Sequence, residues 1–236
     1  MEYTKEFKNL VSLVESPNTE NVILGLQVAQ NYKSEILAYF GYELEVLKDL
    51  TDFLMQNDIW KGDCSIFEIK VVCLGRDVVT EIPKSVFILK KITGLSITHS
   101  DLQEISKEIG ELTKLKRLLL SCNKLQSIPK EIGKQKNLEL LALPDNQLKS
   151  IPPEIGKLKK LGLLGLENNQ LQSLPAEIGN LINLRTLHLY DNQLQSLPKG
   201  IDKLTNLKQL DIRNNKIPTK EIAHLQKMLP NCKIIT

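Results

Sequence analysis

The sequence predicts an α/β solenoid, in which a curved parallel β-sheet is built from repeated units and follows an α-helical N-terminal cap. Three observations support this fold class. An apolar pattern recurs every 23 residues from Ile69 onwards, and such sustained self-similarity indicates a repeat architecture. Each unit contains an alternating apolar segment, which is typical of a strand with one buried face. Residues 1–60 instead carry apolar side chains at helical spacing.

The N-terminal region, residues 1–60, is predicted to be a helical cap. Apolar side chains between Tyr3 and Val14 lie on one helix face, and further helices begin near Thr19 and Ser34. A solenoid needs such a cap because its first unit would otherwise expose an apolar core to water. The region carries a net charge of −6, whereas the rest of the chain carries +9. This change of sign supports two regions of different character.

Residues 61–218 are predicted to form the solenoid, with one strand in each repeat. The central repeat reads LxxLxLxxNxLxxIPxxIxxLxx. In its first part, apolar and variable residues alternate as they do in a strand, so that stacked repeats form a parallel sheet. Its IPxxIxxL part returns the chain to the next strand, and we expect an irregular or short 3₁₀ path on this convex side. The repeats begin at Ile69, Ile92, Leu115, Leu138, Leu161, Leu184 and Leu207.

The asparagine of each repeat is predicted to be structural. After the strand, the chain turns inside an apolar core, and its backbone N–H and C=O groups must be paired there. An inward carboxamide can donate and accept at once and can reach the adjacent repeat. This ladder comprises Asn123, Asn146, Asn169, Asn192 and Asn215, whereas Asp77 and Ser100 take its place in the first two repeats. The recurring glycines at positions 110, 133, 156 and 179 are interpreted as backbone turns.

Residues 219–236 are predicted to close the other end of the solenoid as a helix–strand cap. The segment from Thr219 to Leu229 has a helical pattern and is followed by Pro230. The apolar segment that ends at Ile235 then has the pattern of one last strand.

These residues resemble a leucine-rich-repeat solenoid of the 23-residue bacterial kind, which is similar to the plant intracellular Ras-group-related repeats. The resemblance covers residues 69–236. The SIPxEIGxL phrasing and the ending between Leu229 and Ile235 resemble spirochaete-type repeat proteins. The resemblance implies a bacterial protein, for which a host protein is one candidate partner.

The outward side chains of the strands are predicted to line a concave face, which is the usual binding surface of solenoids. Its middle is apolar where the repeat requires no apolar residue, and exposed apolar patches mark protein contacts. Tyrosine and arginine beside this patch are typical of interface hot spots. The predicted protein-binding residues are Arg117, Leu119, Leu140, Ala142, Leu163, Glu167, His188, Tyr190, Asp211 and Arg213, and Gly165 completes the apolar patch.

Catalytic and metal-binding chemistry is not evident in the sequence. The three histidines do not indicate a Ser/His/Asp set. No glycine-rich phosphate loop is evident either. The best metal pairs, His99 with Cys122 and His188 with Asp211, offer two ligands each, whereas zinc requires about four. We therefore predict no enzyme activity, no cofactor and no metal site. The four cysteines are predicted to be free thiols.

The sequence thus predicts a non-enzymatic protein-interaction module whose partner is an unidentified protein. Two alternatives stay open: a self-assembling or homodimeric scaffold that uses the N-terminal helices or a solenoid end, and a binder of a small ligand or carbohydrate. Scattered lysines argue against nucleic acid as a partner, and no segment reaches the length of a membrane span. Because no signal peptide is evident, we expect a cytoplasmic protein and leave signal-less secretion open.

Overall fold

A computed structural model describes residues 5–16, 18–29, 36, 48–49, 71–75 and 79–236 of the chain. The chain divides into two compact units, one formed by residues 1–72 and 83–92, and the other by residues 73–82 and 93–236. The helix predicted to begin near Ser34 lies almost entirely outside the described residues, and Asp77 lies outside them as well.

In the first unit, two helices pack against each other. Helix α1 spans Lys5–Val14 and helix α2 spans Thr19–Val28, so the first two predicted helices are present. The apolar face of α1 is buried, and α2 approaches it closely at Gly25, where a Cβ atom would lie 2.9 Å from the Cβ of Leu13. The glycine therefore allows the two helices to come together. The capping role of this region stays a prediction.

The strands form one sheet in chain order. Their bounds are β1 Val71–Gly75, β2 Gly94–Thr98, β3 Arg117–Leu119, β4 Leu140–Ala142, β5 Leu163–Gly165, β6 Thr186–His188, β7 Gln209–Asp211 and β8 Lys233–Ile235. From β2 to β8 each strand pairs in parallel with the next. Partners from β2 to β7 are 23 residues apart, as in Leu118↔Leu141, so the repeat period sets the register. The last pairing, Gln209↔Lys233, spans 24 residues.

The repeat leucines form a continuous core, and the predicted return path is confirmed as 3₁₀ helix. In a central repeat Leu141, Leu143, Leu148 and Ile155 have no exposed surface. Each return path holds one short 3₁₀ segment that begins directly after Pro129, Pro152 or Pro175 in the most regular repeats. Proline suits this position because its fixed φ starts the segment. The segments are Lys84–Ile88, Lys107–Glu111, Lys130–Lys134, Pro153–Lys157, Ala176–Asn180 and Ile201–Lys203.

The recurring glycines have a different role from the predicted one. The structure gives Gly110, Gly133, Gly156 and Gly179 no positive φ. They lie where one 3₁₀ segment packs on the next: a Cβ at Gly133 would lie 2.9 Å from the carbonyl oxygen of Glu154. The interpretation as backbone turns was therefore wrong, since close approach between repeats, rather than backbone conformation, requires glycine there. Position 202, the equivalent in the repeat that begins at Leu184, holds aspartate.

The C-terminal helix and strand are both present. Helix α3 spans Thr219–Met228, and β8 completes the sheet. The Glu221 side chain lies against the repeat that begins at Leu184, where its Oε1 accepts a hydrogen bond of 2.6 Å from the Leu197 amide. Leu225 and Leu229 are buried. The helix therefore takes the place that a further 3₁₀ segment would occupy in the array.

Candidate protein-interaction surface

The asparagine ladder holds the chain where it leaves each strand. Asn169 is typical: its Oδ1 accepts a hydrogen bond from the Leu148 amide at 2.9 Å, and its Nδ2 donates to the carbonyl oxygens of Leu143, Leu166 and Glu167 at 3.0–3.1 Å. Asn123, Asn146 and Asn192 are buried and bonded in the same way, and Asn215 is bonded alike but half-buried. The ladder thereby links each repeat to the one before it.

A second polar column, which the sequence analysis missed, lies directly before the ladder. Its members adopt the left-handed conformation, with φ between 52° and 54°. Asparagine and aspartate tolerate this conformation better than other non-glycine residues. Their side chains also link repeats: Asn168 donates to Asp145 at 2.9 Å, and Asn214 donates to Asp191 at 2.7 Å. The signal was available as the Asp or Asn that precedes most ladder asparagines. The column comprises His99, Cys122, Asp145, Asn168, Asp191 and Asn214.

The register places seven of the ten predicted binding residues on one face of the sheet, which we call the concave face. The other three, Glu167, Tyr190 and Arg213, follow the strands and lie close to His188, to each other or to Asp211. Leu119 pairs with Ala142, which pairs with Gly165, and Leu140 pairs with Leu163. These leucines and Ala142 are half-buried, in contrast to the fully buried leucines of the core. They form one contiguous apolar patch. Arg117 is exposed beside it.

At one side of the patch, Asp211 holds Arg213 against Tyr190. The side chain of Asp211 is only 4% exposed. Its two carboxylate oxygens accept hydrogen bonds from the Arg213 guanidinium at 2.9 and 2.7 Å. The guanidinium carbon lies 5.2 Å from the centre of the Tyr190 ring, within the range of a cation–π contact. Burial opposes ionisation of Asp211, but the hydrogen bonds from Arg213 outweigh it and hold the pKa of Asp211 below its ordinary value.

His188 lies on β6, and Glu167 follows β5 by two residues, toward the apolar patch. The Nδ1 atom of His188 is 3.9 Å from Oε1 of Glu167, too far for a hydrogen bond. The other oxygen of Glu167, Oε2, is buried and makes no hydrogen bond to any described residue. Burial raises the pKa of Glu167, and nearby Asp145 and Asp211 act in the same direction. The sequence analysis paired His188 with Asp211, whereas the structure places His188 3.9 Å from Glu167 and Arg213 on both oxygens of Asp211.

Two family models match the part of the chain that carries this sheet. One describes a leucine-rich repeat region and matches residues 153–230, and the other describes a leucine rich repeat and matches residues 113–171. Together they extend over residues 113–230, which include strands β3 to β7 and helix α3. The chain is a leucine-rich-repeat protein. This agrees with the predicted repeat and with the observed parallel sheet.

Solved structures of other leucine-rich-repeat proteins are similar to this one. A leucine-rich-repeat protein of Leptospira interrogans is 29% identical, over 72% of this chain and 61% of that chain, with a TM-score of 0.35. The ectodomain of the Arabidopsis thaliana membrane receptor kinase GASSHO1/SCHENGEN3, in complex with CASPARIAN STRIP INTEGRITY FACTOR 2, is 30% identical over 65% of this chain and 19% of that one, with a TM-score of 0.58.

An internalin of Listeria monocytogenes is 22% identical over 72% of this chain and 48% of that chain, with a TM-score of 0.61, and it shares the fold. The present chain thus spans less than two thirds of the length of each of these three proteins. No curated protein matches the sequence.

The described residues of this leucine-rich-repeat chain contain no group of three or more His, Cys, Asp and Glu side chains that could hold a metal ion. Cys122 and Cys232 are free thiols, and burial raises the pKa of both. In the same part of the chain, no helix is long and apolar enough to cross a membrane.

A groove of about 590 Å³, also missed by the sequence analysis, lies between the last 3₁₀ segment and α3. Its apolar lining includes Leu197, Ile201, Leu225 and Met228. The groove arises because helix α3 replaces a further 3₁₀ segment. None of the ten predicted binding residues lines it.

Proposed function

We propose that this chain is a non-enzymatic protein-interaction module that binds a protein partner on its concave face. The observation that carries the proposal is the half-buried apolar patch of Leu119, Leu140, Ala142 and Leu163 on three adjacent strands. The fold needs buried leucines on the other side of the sheet, but it requires no apolar residue at these positions. A contiguous apolar patch beside polar groups is typical of a protein contact.

The cluster beside the patch supports the same proposal. Tyrosine and arginine are the residues that most often dominate binding energy at interfaces. Here Tyr190 and Arg213 are already ordered by Asp211, so less conformational entropy is lost when a partner binds. The similar plant ectodomain was solved in complex with CASPARIAN STRIP INTEGRITY FACTOR 2, which supports a binding role.

A charge placed in the patch tests the proposal. Leu140→Asp is expected to abolish binding of partners captured from host and bacterial lysates, because a carboxylate in a desolvated contact would remain unpaired. The matched control is Ile182→Asp, which makes the same kind of change at a side chain that is 54% exposed and lies outside the strands. Captured proteins are compared by mass spectrometry, and circular dichroism checks that both variants are folded. The proposal is wrong if folded Leu140→Asp retains every partner that the control retains.

A further inference from the structure

We propose that the concave face recognises a protein segment that places a lysine or arginine next to an apolar side chain, with the cation at Glu167 and the apolar side chain over the patch. This inference rests on the proposed function and specifies the chemistry of the partner. It follows from the distribution of unpaired carboxylates, from the packing of Glu167 and from the opposite charges along the two edges of the face.

The first step concerns the edge of the face where the strands end, which we call the acidic edge. It carries Asp145, Glu167, Asp191 and Asp211. Only Asp211 has an arginine or lysine within ion-pair distance among the described residues. Asp145 and Asp191 accept hydrogen bonds from the neutral Asn168 and Asn214 side chains instead. The acidic edge therefore retains three carboxylates that no arginine or lysine among the described residues compensates, although His188 lies 3.9 Å from Glu167.

Glu167 is the least satisfied of these carboxylates. Its side chain is 14% exposed, and its buried Oε2 lacks a hydrogen-bond partner among the described residues. A buried carboxylate that lacks a donor is costly, and the cost is relieved when a donor is supplied. Because Oε2 is closed to solvent, the Glu167 side chain must turn toward a partner's ammonium or guanidinium group to gain this hydrogen bond, and the same group supplies the opposite charge. Burial, which raises the pKa of Glu167, reflects the same lack of compensation.

The position of Glu167 also couples it to the apolar patch. A Cβ atom built on Gly165 would lie 3.1 Å from Oε2 of Glu167, so the carboxylate lies next to the glycine. Gly165 pairs with Ala142 on the neighbouring strand, and Leu140 pairs with Leu163 on the same two strands, so Glu167 lies beside the apolar patch. In extended backbone, residues two apart lie about 6.6 Å from each other. One short segment can therefore place an apolar side chain over the patch and a nearby cation at Glu167.

The opposite edge of the face, where the strands begin, has the opposite charge. It carries exposed Lys116, Arg117, Arg185 and Lys208, and Glu139 compensates only Lys116, at 3.6 Å. Three to six residues separate the two edges along the chain, as from Lys208 to Asp211 and from Arg185 to Asp191, which is roughly 10–20 Å in extended backbone. A cationic side chain is repelled from this basic edge and attracted to the acidic edge, so the charges also set the orientation of the bound segment.

The test is selection of binders from a phage-displayed library of random linear peptides. The folded full-length protein is the target, and selected peptides are synthesised for affinity measurement. We expect the peptides to be enriched in lysine or arginine next to a leucine-like residue. Their affinity for Glu167→Gln should fall roughly tenfold to a hundredfold, since a hydrogen bond to a charged group is lost, and it should decrease with added salt. The matched control is Glu177→Gln, a glutamate on the 3₁₀ side, which should leave affinity unchanged.

The outcomes separate this inference from the proposed function. Peptides that lose binding to Leu140→Asp but bind Glu167→Gln as well as wild type support the concave face and overturn the role of Glu167. Peptides that bind Leu140→Asp unchanged overturn the proposed function itself. Enrichment of acidic peptides, or no enrichment over the starting library, also overturns the inference.

Discussion

Replacing Asn169 by alanine should be among the most destabilising single changes in the solenoid. The side chain is buried and joins one backbone amide and three backbone carbonyl groups of two repeats. An amide has two N–H groups, so the three carbonyl oxygens share two hydrogens. The relevant quantity is therefore the number of buried groups left without a partner. Only the Leu148 amide is left without a partner, at about 1–3 kcal/mol, because the Leu143 and Leu166 carbonyl groups keep hydrogen bonds from Asn146 at 3.2 Å and Asn192 at 2.9 Å.

The two carbonyl groups lose one of their donors, which adds to this cost, whereas water admitted into the space left by the carboxamide reduces it. We expect Asn169→Ala to lower the free energy of unfolding by roughly 2–3 kcal/mol. The assay is urea denaturation followed by circular dichroism, with the midpoint and slope compared with wild type.

Two further asparagines separate the effect of burial from the effect of the hydrogen bonds. Asn215 makes the corresponding four bonds, at 2.9–3.2 Å, but is half-buried in the last repeat. Its replacement by alanine should cost about 1 kcal/mol, since water can reach the freed groups. Asn183 is exposed and donates one bond of 2.7 Å to the Lys159 carbonyl, so Asn183→Ala should cost less than about 1 kcal/mol. Equal losses for Asn169→Ala and Asn215→Ala would refute the reasoning, because burial would then not determine the cost.

Two other changes test the packing of the return path and the charge of the concave face. Gly133→Ala should lower the free energy of unfolding by about 1–3 kcal/mol, as overpacking does, because the new Cβ would lie 2.8 Å from the Glu154 Cβ. The control is Asp202→Ala, at the equivalent position that no further 3₁₀ segment follows. Equal effects of the two changes on the free energy of unfolding would contradict the role of close approach. The raised pKa of Glu167 means that its contribution to stability is present below the pKa of the unfolded chain and is lost as pH rises through the folded pKa. Relative to wild type, Glu167→Gln should therefore be more stable at neutral pH than at about pH 4, by urea denaturation at both values; a larger relative stability at the lower pH would contradict this.

The sequence predicted the parts of the fold that depend on a repeated pattern. The 23-residue period gives the register directly, since Leu118, Leu141, Leu164 and Leu187 pair across adjacent strands. The 3₁₀ return path followed from the limited length of each unit. The capping role of the N-terminal helices could not be derived in this way, because amphipathic helices reveal an apolar face but not the surface that it covers.

The arrangement of the candidate site was less predictable because it depends on side-chain geometry within the repeat. Asp211 ends strand β7 and Arg213 follows it by two residues, a spacing that points both side chains to the same side in extended backbone. The sequence nevertheless did not decide whether His188 or Arg213 would bind the Asp211 carboxylate. A bidentate guanidinium contact is stronger and more specific than a single imidazole contact, and Arg213 occupies both oxygens. His188 is left 3.9 Å from Glu167.

The concave face thus contains two carboxylates that differ in their hydrogen bonds, and this difference assigns them different roles in binding. Asp211 is fully engaged by Arg213, so its contribution lies in ordering the guanidinium and the Tyr190 ring before a partner arrives. Glu167 is almost as buried but has an oxygen without a donor. A buried oxygen that lacks a donor gains more from a partner's hydrogen bond than an oxygen that already accepts one. Partner selectivity should therefore depend on Glu167, and the rigidity of the surface on Asp211.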